Sequence, residues 1–418
     1  MKHIYSSIDI GSDSIKIVVC ELFKNKLNLL AASSYKSKGI KKGVIVDVEL
    51  AKITIKQAFN EIEQMLGIRI HRVVASVPSY SAEYNLIKGE VSINNENKVI
   101  TNNDVLNSLQ VAISSSSANN KELVTVLPID YSIDDNSYTS DPIGKIGNKL
   151  STRAIMVTVP KKNLYSVVSL LENMGIEVVD ISLNNIGDLY AFKNNSFDNK
   201  VGAIINVGGD ITTISLYNKG VIVKSSIMDM AGNDIDRDIS YMYKVNEETA
   251  NKIKTKFALA HKKNANVSEY YEVETTQGEK LKINQFEVSE VVMSRIEEIL
   301  NLAKKELNLL TSKRIDYIII TGGTSNMVNI EYVANDVFDK DVNIGNIKML
   351  GIRNNKYSSC IGNIVYFISK LKLKNKNYSM LSNSESEELA VVKKNSYNSS
   401  DSMLGKIFGY FFKDSDSE

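Results

Sequence analysis

Residues 203–218 have the sequence AIINVGGDITTISLYN, in which two apolar runs enclose the pair Gly208-Gly209. Alternating apolar residues on either side of a glycine turn predict a β-hairpin. Backbone amides in such a turn form a concave anion site, and glycine lets a phosphate approach closely. Asn206 and Asp210 stand where a metal-holding carboxylate and a bare glycine are expected. The stretch is therefore a nucleotide hairpin, an altered one or only a tight turn.

The same pattern occurs once earlier in the chain. Residues 8–19, IDIGSDSIKIVV, align with residues 205–216, so that Gly11 matches Gly208. An internal repeat reveals architecture, and this one predicts two α/β halves that each open with a glycine hairpin. The alternative is a coincidence between two strand–turn–strand segments.

The composition indicates a soluble globular protein. The chain has 418 residues, 43% hydrophobic and 24% charged, which predicts two to four domains. A net charge of +1 gives no bulk attraction to nucleic acid. With no signal peptide and no apolar stretch of ~20 residues, we expect a cytoplasmic protein. Cys20 and Cys360 lie far apart without a histidine cluster, so we expect buried, reduced thiols rather than a zinc site.

Strands alternate with helices over most of the chain, which predicts parallel α/β sheets. Residues 47–68 have helical periodicity that stops at Gly67. Residues 229–312 are predicted to be mostly helical and to interrupt the second half. Residues 374–401 are rich in Ser, Asn, Glu and Lys, which is the composition of a linker.

Three further segments favour a nucleotide cleft. Gly232 and Asn233 precede a helix, and Lys254 lies on a helix. Residues 322–324 form a Gly-Gly-Thr turn between a buried strand and a helix. Taken in order, the two hairpins, the Gly-Asn turn, the lysine helix and the Gly-Gly turn resemble the actin/sugar-kinase ATPase superfamily.

Within that superfamily the chain resembles the FtsA family of bacterial cell-division proteins. Residues 9–12 with Lys16 are similar to the family's first phosphate motif, and residues 128–150 resemble its subdomain 1C, with Pro142 and Gly144 as in the DPxG pattern. An apolar segment after a linker is a third likeness. The resemblance implies an α/β, actin-like fold in which two α/β halves flank a nucleotide cleft, with a subdomain 1C insertion and a helical subdomain 2B.

The resemblance also implies a division of the chain into subdomains. They are subdomain 1A at 1–82 and 159–198, subdomain 1C at 83–158, subdomain 2A at 199–228 and 313–373, subdomain 2B at 229–312, a disordered linker at 374–401, and an amphipathic membrane-targeting helix and tail at 402–418.

The implied cofactor is ATP with Mg²⁺. Asp9 and Asn206 are candidate positions for magnesium-bound water, and no residue is expected to ligate the metal directly. From the residues alone, Lys16 is equally explained as an exposed strand residue and Lys254 as part of a solvated helix face. The implied nucleotide-binding residues are Gly11, Ser12, Lys16, Gly208, Gly209, Asp210, Gly232, Asn233, Asn251, Lys254, Gly322, Gly323 and Thr324.

Four positions depart from the family pattern: Asn206, Asp210, Ile211 and Asn251 stand where the family usually has Asp, Gly, Thr and Glu. A neutral amide is a poorer partner than a carboxylate for a hard cation. A carboxylate at 210 would repel a phosphate ~4 Å away by roughly 1–4 kcal/mol. We therefore expect weak ATP binding with negligible hydrolysis. The alternative is a turn that only serves as scaffold.

Six apolar residues near the carboxyl end fall on one face of a helix. An apolar stripe that a linker separates from the globule predicts a helix lying on the inner face of the cytoplasmic membrane. The alternative is a helix that docks on the protein's own core or in a partner's groove. The six residues are Met403, Leu404, Ile407, Phe408, Phe411 and Phe412.

The resemblance implies two protein partners at the division site. Subdomain 2B would receive the acidic carboxyl-terminal peptide of FtsZ, with Arg295, Lys304 and Lys305 as candidate contacts, because arginine suits carboxylate recognition. The alternative for each is a solvated helix face. A second copy would bind head to tail through 1C and 2A, which repeats into a filament. Competing hypotheses are an active ATPase or kinase of the superfamily and an MreB-like cell-shape filament.

Overall fold

The computed structural model describes residues 3–116, 121–135, 137–197, 199–382, 384–386 and 388–389. Up to residue 192 its strands and helices are β1 (His3–Ile10), β2 (Ser14–Phe23), β3 (Lys26–Lys36), β4 (Ile40–Lys41), β5 (Val44–Ile45), α1 (Val48–Leu66), β6 (Arg72–Val77), β7 (Glu83–Ser92), α2 (Asn102–Ser114), β8 (Lys121–Ile133), β9 (Ser137–Thr139), β10 (Lys149–Pro160), α3 (Lys161–Glu172), β11 (Glu177–Leu183) and α4 (Asn184–Phe192).

The following part of the chain builds the second half and ends in a helix that packs on the first half. Its elements are β12 (Val201–Val207), β13 (Thr212–Asn218), β14 (Val221–Met228), α5 (Gly232–Tyr243), α6 (Glu247–Lys256), β15 (Tyr270–Glu274), β16 (Lys280–Asn284), α7 (Gln285–Leu310), β17 (Tyr317–Thr321), α8 (Ile330–Phe338), β18 (Asn343–Ile344) and α9 (Ser358–Leu373).

The two halves contain sheets of the same design. One has the strand order β11-β6-β1-β2-β3 and the other β18-β17-β12-β13-β14. In the first sheet the central strand β1 pairs antiparallel with β2 and parallel with β6. In the second sheet the central strand β12 likewise pairs antiparallel with β13 and parallel with β17. Both hairpins contain an equivalent backbone hydrogen bond, in which a glycine N–H donates to the carbonyl three residues later. The two bonds run from Gly11 N to Ser14 O at 3.2 Å and from Gly208 N to Ile211 O at 3.1 Å. The internal repeat is therefore confirmed, and coincidence is excluded as its explanation.

The first sheet is buried on both faces, as expected for strands covered by helices on both sides. Ile8, Ile15 and Ile17 face the core formed by α1 and α3. Val18 and Cys20 face the opposite core, which α9 closes. Both cysteines are free and buried, as predicted.

Helices α4 and α9 cross in close contact between the first sheet and the cleft. A Cβ atom on Gly362 would lie 1.7 Å from Gly187 O, and a Cβ on Gly187 would lie 2.4 Å from Ser359 O. Only glycine permits this backbone approach. The crossing fixes the amino-terminal turn of α9 beside the ends of β12 and β17.

Two further units flank the halves. The four-stranded sheet β7-β10-β8-β9 carries α2 on one face, with Ile87, Val105 and Leu150 in its own core. On the other half, α5, α6 and α7 form a helical layer, but β15 and β16 form a hairpin inside it. The prediction of mostly helix missed this hairpin, whose sequence alternates apolar and charged residues around a turn at Gly278.

The chain after α9 packs against the first half. Met380 N donates to Ile4 O at 2.9 Å, and Met380 and Leu381 are 3% and 5% exposed. The composition of 374–401 predicts a linker, but these apolar side chains are buried beside the start of the central strand β1 instead. The predicted membrane helix at 402–418 lies outside the described residues. Within the described ranges, no helix combines the length and apolarity that crossing a bilayer demands.

Candidate functional site

A cavity of about 310 Å³ lies between the two halves, where the β1–β2 and β12–β13 hairpins meet. Its volume is at the lower end of the range for ligand pockets. Asp9 and Asn206 line it. So do all the implied nucleotide residues except Asp210, namely Gly11, Ser12, Lys16, Gly208, Gly209, Gly232, Asn233, Asn251, Lys254, Gly322, Gly323 and Thr324.

The glycines of the two hairpins are needed for close packing in the cleft. A Cβ on Gly209 would lie 2.6 Å from Asp13 Cβ, so the tips of the hairpins nearly touch. A Cβ on Gly11 would lie 2.9 Å from Lys16 Nζ. The glycines therefore keep the backbone of both turns accessible from the cavity.

Lys16 pairs with Asp9 across the first hairpin. Lys16 Nζ lies 3.0 Å from Asp9 Oδ2, and the lysine is 9% exposed. Burial lowers the pKa of Lys16, but the charge of Asp9 and the hydrogen bond to it outweigh burial, so the pKa lies above its ordinary value. Lys16 is thus a buried cation facing the cavity, and its description as an exposed strand residue is wrong.

Lys254 is likewise buried and held in place. Its Nζ donates to Asp236 Oδ2 at 2.7 Å and to Gly232 O at 2.8 Å, and the residue is 6% exposed. Asn251 Nδ2 donates to the same Asp236 oxygen at 2.9 Å. The solvated-face explanation of Lys254 is wrong, because α6 turns this side chain toward the cavity.

The amino terminus of α5 supports the second hairpin. Gly232 N donates to Gly208 O at 3.0 Å, and Asn233 N donates to Gly209 O at 2.8 Å. Thr324 Oγ1 adds a bond to Gly208 O at 3.3 Å. These helix amides already bond the hairpin carbonyls, so they fix the turn in place instead of pointing into the cavity.

The sequence places the carboxylate of Asp210 next to the nucleotide phosphates, but in the structure Asp210 does not line the cavity. Its Oδ1 accepts from Asn233 Nδ2 at 2.8 Å, and its Oδ2 accepts from Lys42 N at 3.4 Å. Lys42 Nζ also pairs with Asp229 at 2.5 Å. The carboxylate therefore bridges the two halves at the rim of the cleft. Repulsion of a phosphate by Asp210, expected from the sequence, is not what this geometry produces.

Sequence reasoning missed Asp188, which lies behind the cavity on α4. Its Oδ2 accepts from Asn206 Nδ2 at 2.6 Å, and its Oδ1 accepts from Ser358 Oγ at 2.6 Å and Ser359 Oγ at 3.0 Å. Burial raises the pKa of Asp188 to about 6, although these three hydrogen bonds lower it. The only signal in the sequence is one carboxylate within the apolar stretch NNIGDLYAF.

Lys356, which precedes α9, is a second residue that the sequence did not single out. It lines the cavity, and burial together with the charge of Lys16 lowers its pKa. Three lysines, Lys16, Lys254 and Lys356, thus face two carboxylates, Asp9 and Asp13, around the cavity. The charge balance and the glycine turns suit a phosphorylated ligand.

The residues fit a polyphosphate better than they fit a directly bound metal. Asp9 is the carboxylate nearest to Lys16, and Asn206 offers an amide oxygen. Mg²⁺ usually keeps several waters and takes one or two carboxylates with phosphate oxygens. Asp9 and Asn206 would accordingly hold magnesium-bound water, whose cation neutralises phosphate charge when the nucleotide binds.

The three implied FtsZ contacts do not form one surface. Arg295 donates both arms of its fork to Asp238 of α5, at 2.6 and 2.8 Å, and a third bond to Glu298 at 2.6 Å. Lys304 is nine residues further along α7 and therefore on the opposite side. It bonds Asp339 at 2.8 Å and Val337 O at 2.7 Å. Lys305 is exposed nearer the Arg295 side.

Two family models match separate parts of the chain. The model for "Cell division protein FtsA" matches residues 203–362, and the model for "SHS2 domain inserted in FTSA" matches residues 82–158. The second range corresponds to the unit formed by α2 and the sheet β7-β10-β8-β9.

Relatives of known family cover most of the chain. Cell division protein FtsA of Bacillus subtilis is 27% identical over 365 residues, which are 87% of this chain and 83% of the relative. Cell division protein FtsA of Enterococcus hirae is 26% identical over 364 residues, covering 87% and 82%.

Solved structures show the fold. MreB5 of Spiroplasma citri bound to ADP matches with a TM-score of 0.54 and 16% identity over 89% of this chain and 98% of that one. The PilM–PilN type IV pilus biogenesis complex matches with a TM-score of 0.58 and 11% identity, covering 87% and 98%. The predicted α/β, actin-like architecture is thereby confirmed. Both models and both relatives agree, and this chain belongs to the FtsA family of cell division proteins.

Proposed function

We propose that this protein is a cell-division adaptor that binds ATP in the cleft with little or no hydrolysis and tethers FtsZ filaments to the inner face of the cytoplasmic membrane. The observation that carries the nucleotide part is the cavity in which both hairpins and three lysines converge. Membership of the FtsA family supports the remaining parts, which are FtsZ binding, membrane attachment and self-assembly.

The cleft favours binding over hydrolysis. Lys16 and Lys254 are each anchored by a carboxylate, so they present fixed positive charge to a triphosphate. The hydrogen bond from Asn206 to Asp188 leaves a neutral amide where a carboxylate would orient an attacking water. A bound nucleotide would therefore act as a structural ligand that holds the halves together.

Calorimetric titration with Mg-ATP and with a non-hydrolysable analogue, combined with a phosphate-release assay, tests this part. We expect binding of both ligands and no sustained phosphate release. Replacement of Lys254 by Met should abolish binding, whereas Lys252→Ala on the exposed side of the same helix should not change it. Sustained release would favour the alternative, an active ATPase or kinase. No binding at millimolar nucleotide would leave the cleft as scaffold only.

The FtsZ part is assigned to the face that α5 and α7 share. Arg295 is held between Asp238 and Glu298, so an acidic peptide would bind by taking the place of Asp238 on the guanidinium fork. Tyr241, 90% exposed, follows Asp238 by about one turn of α5. Leu302, 37% exposed, follows Arg295 by about two turns of α7, so both offer apolar contact on these helices. Both features suit a peptide that combines carboxylates with apolar side chains.

The membrane part rests on residues 402–418. Burial of each large apolar side chain of the stripe contributes about 1.5–3 kcal/mol before ordering costs, which suffices for a peripheral anchor. Liposome flotation of the full chain and of a chain ending at 401 tests it. We expect only the full chain to float. Equal flotation of both would remove the tether.

Self-assembly is the remaining part of the proposal. The unit that carries α2 exposes Tyr138, Ile143 and Ile146, which are 69%, 40% and 72% exposed. A contact between this unit and the second half of the next copy would be heterologous and would repeat into a filament. In this proposal the chain has the subdomain boundaries that the resemblance to the FtsA family implies.

A further inference from the structure

Asp188 is a buried carboxyl group without a cationic partner among the described residues. It is 1% exposed and no salt bridge involves it in that part of the chain. Three neutral donors bond it, namely the Asn206 amide on β12 and the hydroxyls of Ser358 and Ser359 at the start of α9. Burying a charge supported only by neutral donors costs free energy. A side chain of this kind needs an explanation beyond packing.

The charged and titratable groups around Asp188 do not relieve that cost. Asp9 on β1 acts on it with charge of the same sign. Tyr217 on β13 is fully buried, and the charge of Asp188 contributes to keeping its hydroxyl protonated. The remaining neighbours, Asn206, Ser358 and Ser359, are neutral. The ionised form therefore depends on the three hydrogen bonds.

The bond to Asn206 decides how this amide faces the cleft. Its Nδ2 atom is committed to Asp188 at 2.6 Å, so its Oδ1 atom points the other way. A Cβ on Gly322 would lie 2.4 Å from that Oδ1, and Gly322 and Asn206 both line the cavity. An ionised carboxylate accepts hydrogen bonds but donates none, which excludes the flipped amide.

We propose that Asp188 is the positioning residue of the cleft: it fixes the Asn206 amide so that a carbonyl oxygen, and not an NH₂ group, faces the ligand. This inference rests on the proposed nucleotide function. A carbonyl oxygen accepts a hydrogen bond from magnesium-bound water, whereas an NH₂ group repels it. Through Ser358 and Ser359 the same carboxylate ties this orientation to the α4–α9 crossing.

Protonation of Asp188 removes the orientation. A neutral carboxyl group carries one donor and one acceptor, so it tolerates either orientation of the amide. Affinity of the cleft for magnesium nucleotide should therefore fall as the pH is lowered through the titration of Asp188. Nucleotide phosphates titrate in the same pH range and also change the affinity. The nucleotide affinity of wild type must therefore be compared, at each pH, with that of a variant without the carboxyl group.

An exchange of the two side chains tests the pair. Asp188→Asn leaves two amides facing each other, and Asn206→Asp leaves two carboxylates. The double variant restores one carboxylate and one amide with the positions reversed. We expect each single variant to bind the magnesium complex of a non-hydrolysable ATP analogue about tenfold more weakly, the size of one lost hydrogen bond to a charged group. The double variant should recover most of that loss.

Two readouts separate the possible results. In calorimetry between pH 5 and 8, the ratio of wild-type to Asp188→Asn affinity should grow with pH, and a ratio independent of pH would overturn the positioning role. In urea unfolding, the double variant should be more stable than either single variant, and strict additivity would show that the two side chains do not act as a pair. If neither single variant folds, a folded double variant supports the pair and an unfolded one overturns it.

The same experiment distinguishes the inference from the proposed function. Wild type that binds no nucleotide overturns the nucleotide function, while the unfolding measurements still decide whether Asp188 and Asn206 are coupled. Wild type that binds nucleotide together with single variants that bind equally well overturns the positioning role and leaves the nucleotide function intact.

Discussion

Asn206 on β12 and Asp188 on α4 lie 2.6 Å apart through a single hydrogen bond, and this bond joins the second sheet to the helix crossing at the back of the cleft. Both serines at the start of α9 bond the other oxygen of the same carboxylate. Three elements that are distant in sequence thus meet at one buried acid. The position of Asn206, which lines the cleft, depends on this junction.

The stability of the protein should decrease between about pH 4 and pH 6 through Asp188. Burial raises the pKa of this carboxyl from its ordinary 3.8 to about 6, so between these values the folded state binds more protons than the unfolded state. The contribution is complete below pH 4 and is lost as the pH rises through 6, by about 1–3 kcal/mol. Urea unfolding of wild type and Asp188→Asn across this range checks it, with a smaller decrease expected in the variant. Identical pH profiles would contradict the raised pKa.

Arg295→Ala should reduce binding of an acidic FtsZ carboxyl-terminal peptide by tenfold or more, the equivalent of about 1.4 kcal/mol or more. Lys304→Ala is the matched control on the same helix, because its side chain points to the opposite side and bonds Asp339. Fluorescence anisotropy of a labelled peptide measures both. A larger loss for Lys304→Ala than for Arg295→Ala would place the peptide on the wrong side of α7 for this proposal.

Asp210→Gly should not strengthen nucleotide binding, because the carboxylate bonds Asn233 and Lys42 at the rim and does not line the cavity. The variant loses the bridge between the halves, so we expect a free energy of unfolding lower by about 0.5–1.5 kcal/mol. Titration calorimetry and thermal unfolding provide the two measurements. A clear gain in affinity would restore the idea that Asp210 repels phosphate.

Gly362→Ala should destabilise the protein by about 1–3 kcal/mol or more, because the added methyl group overlaps the backbone of Gly187 at 1.7 Å. Gly323→Ala is the control, since a Cβ at that position meets nothing within 4 Å and its φ of −61° suits alanine. Equal denaturation midpoints for the two variants would show that α4 and α9 can separate at low cost.

The two halves and their hairpins can be predicted from the amino-acid sequence alone. The repeat of apolar residues around Gly11 and Gly208 is local, and local patterns specify strands and turns directly. The family motifs also indicated most residues that line the cavity, including Lys16 and Lys254. These residues meet at one cavity because each motif lies at the end of a strand or the start of a helix, where a parallel sheet brings such ends together.

The direction in which individual side chains point depends on contacts between distant parts of the chain. Asp188 joined the site because the glycine contact between α4 and α9 brings Ser358 and Ser359 within reach of its carboxylate. Asp210 turned to the rim because Lys42, 168 residues earlier, offers its backbone amide there. Lys304 bonds Val337 O and Asp339, and is not free for a peptide, because α8 packs on its side of α7. Each of these outcomes depends on contacts between residues far apart in the chain, and periodicity within one segment carries no information about them.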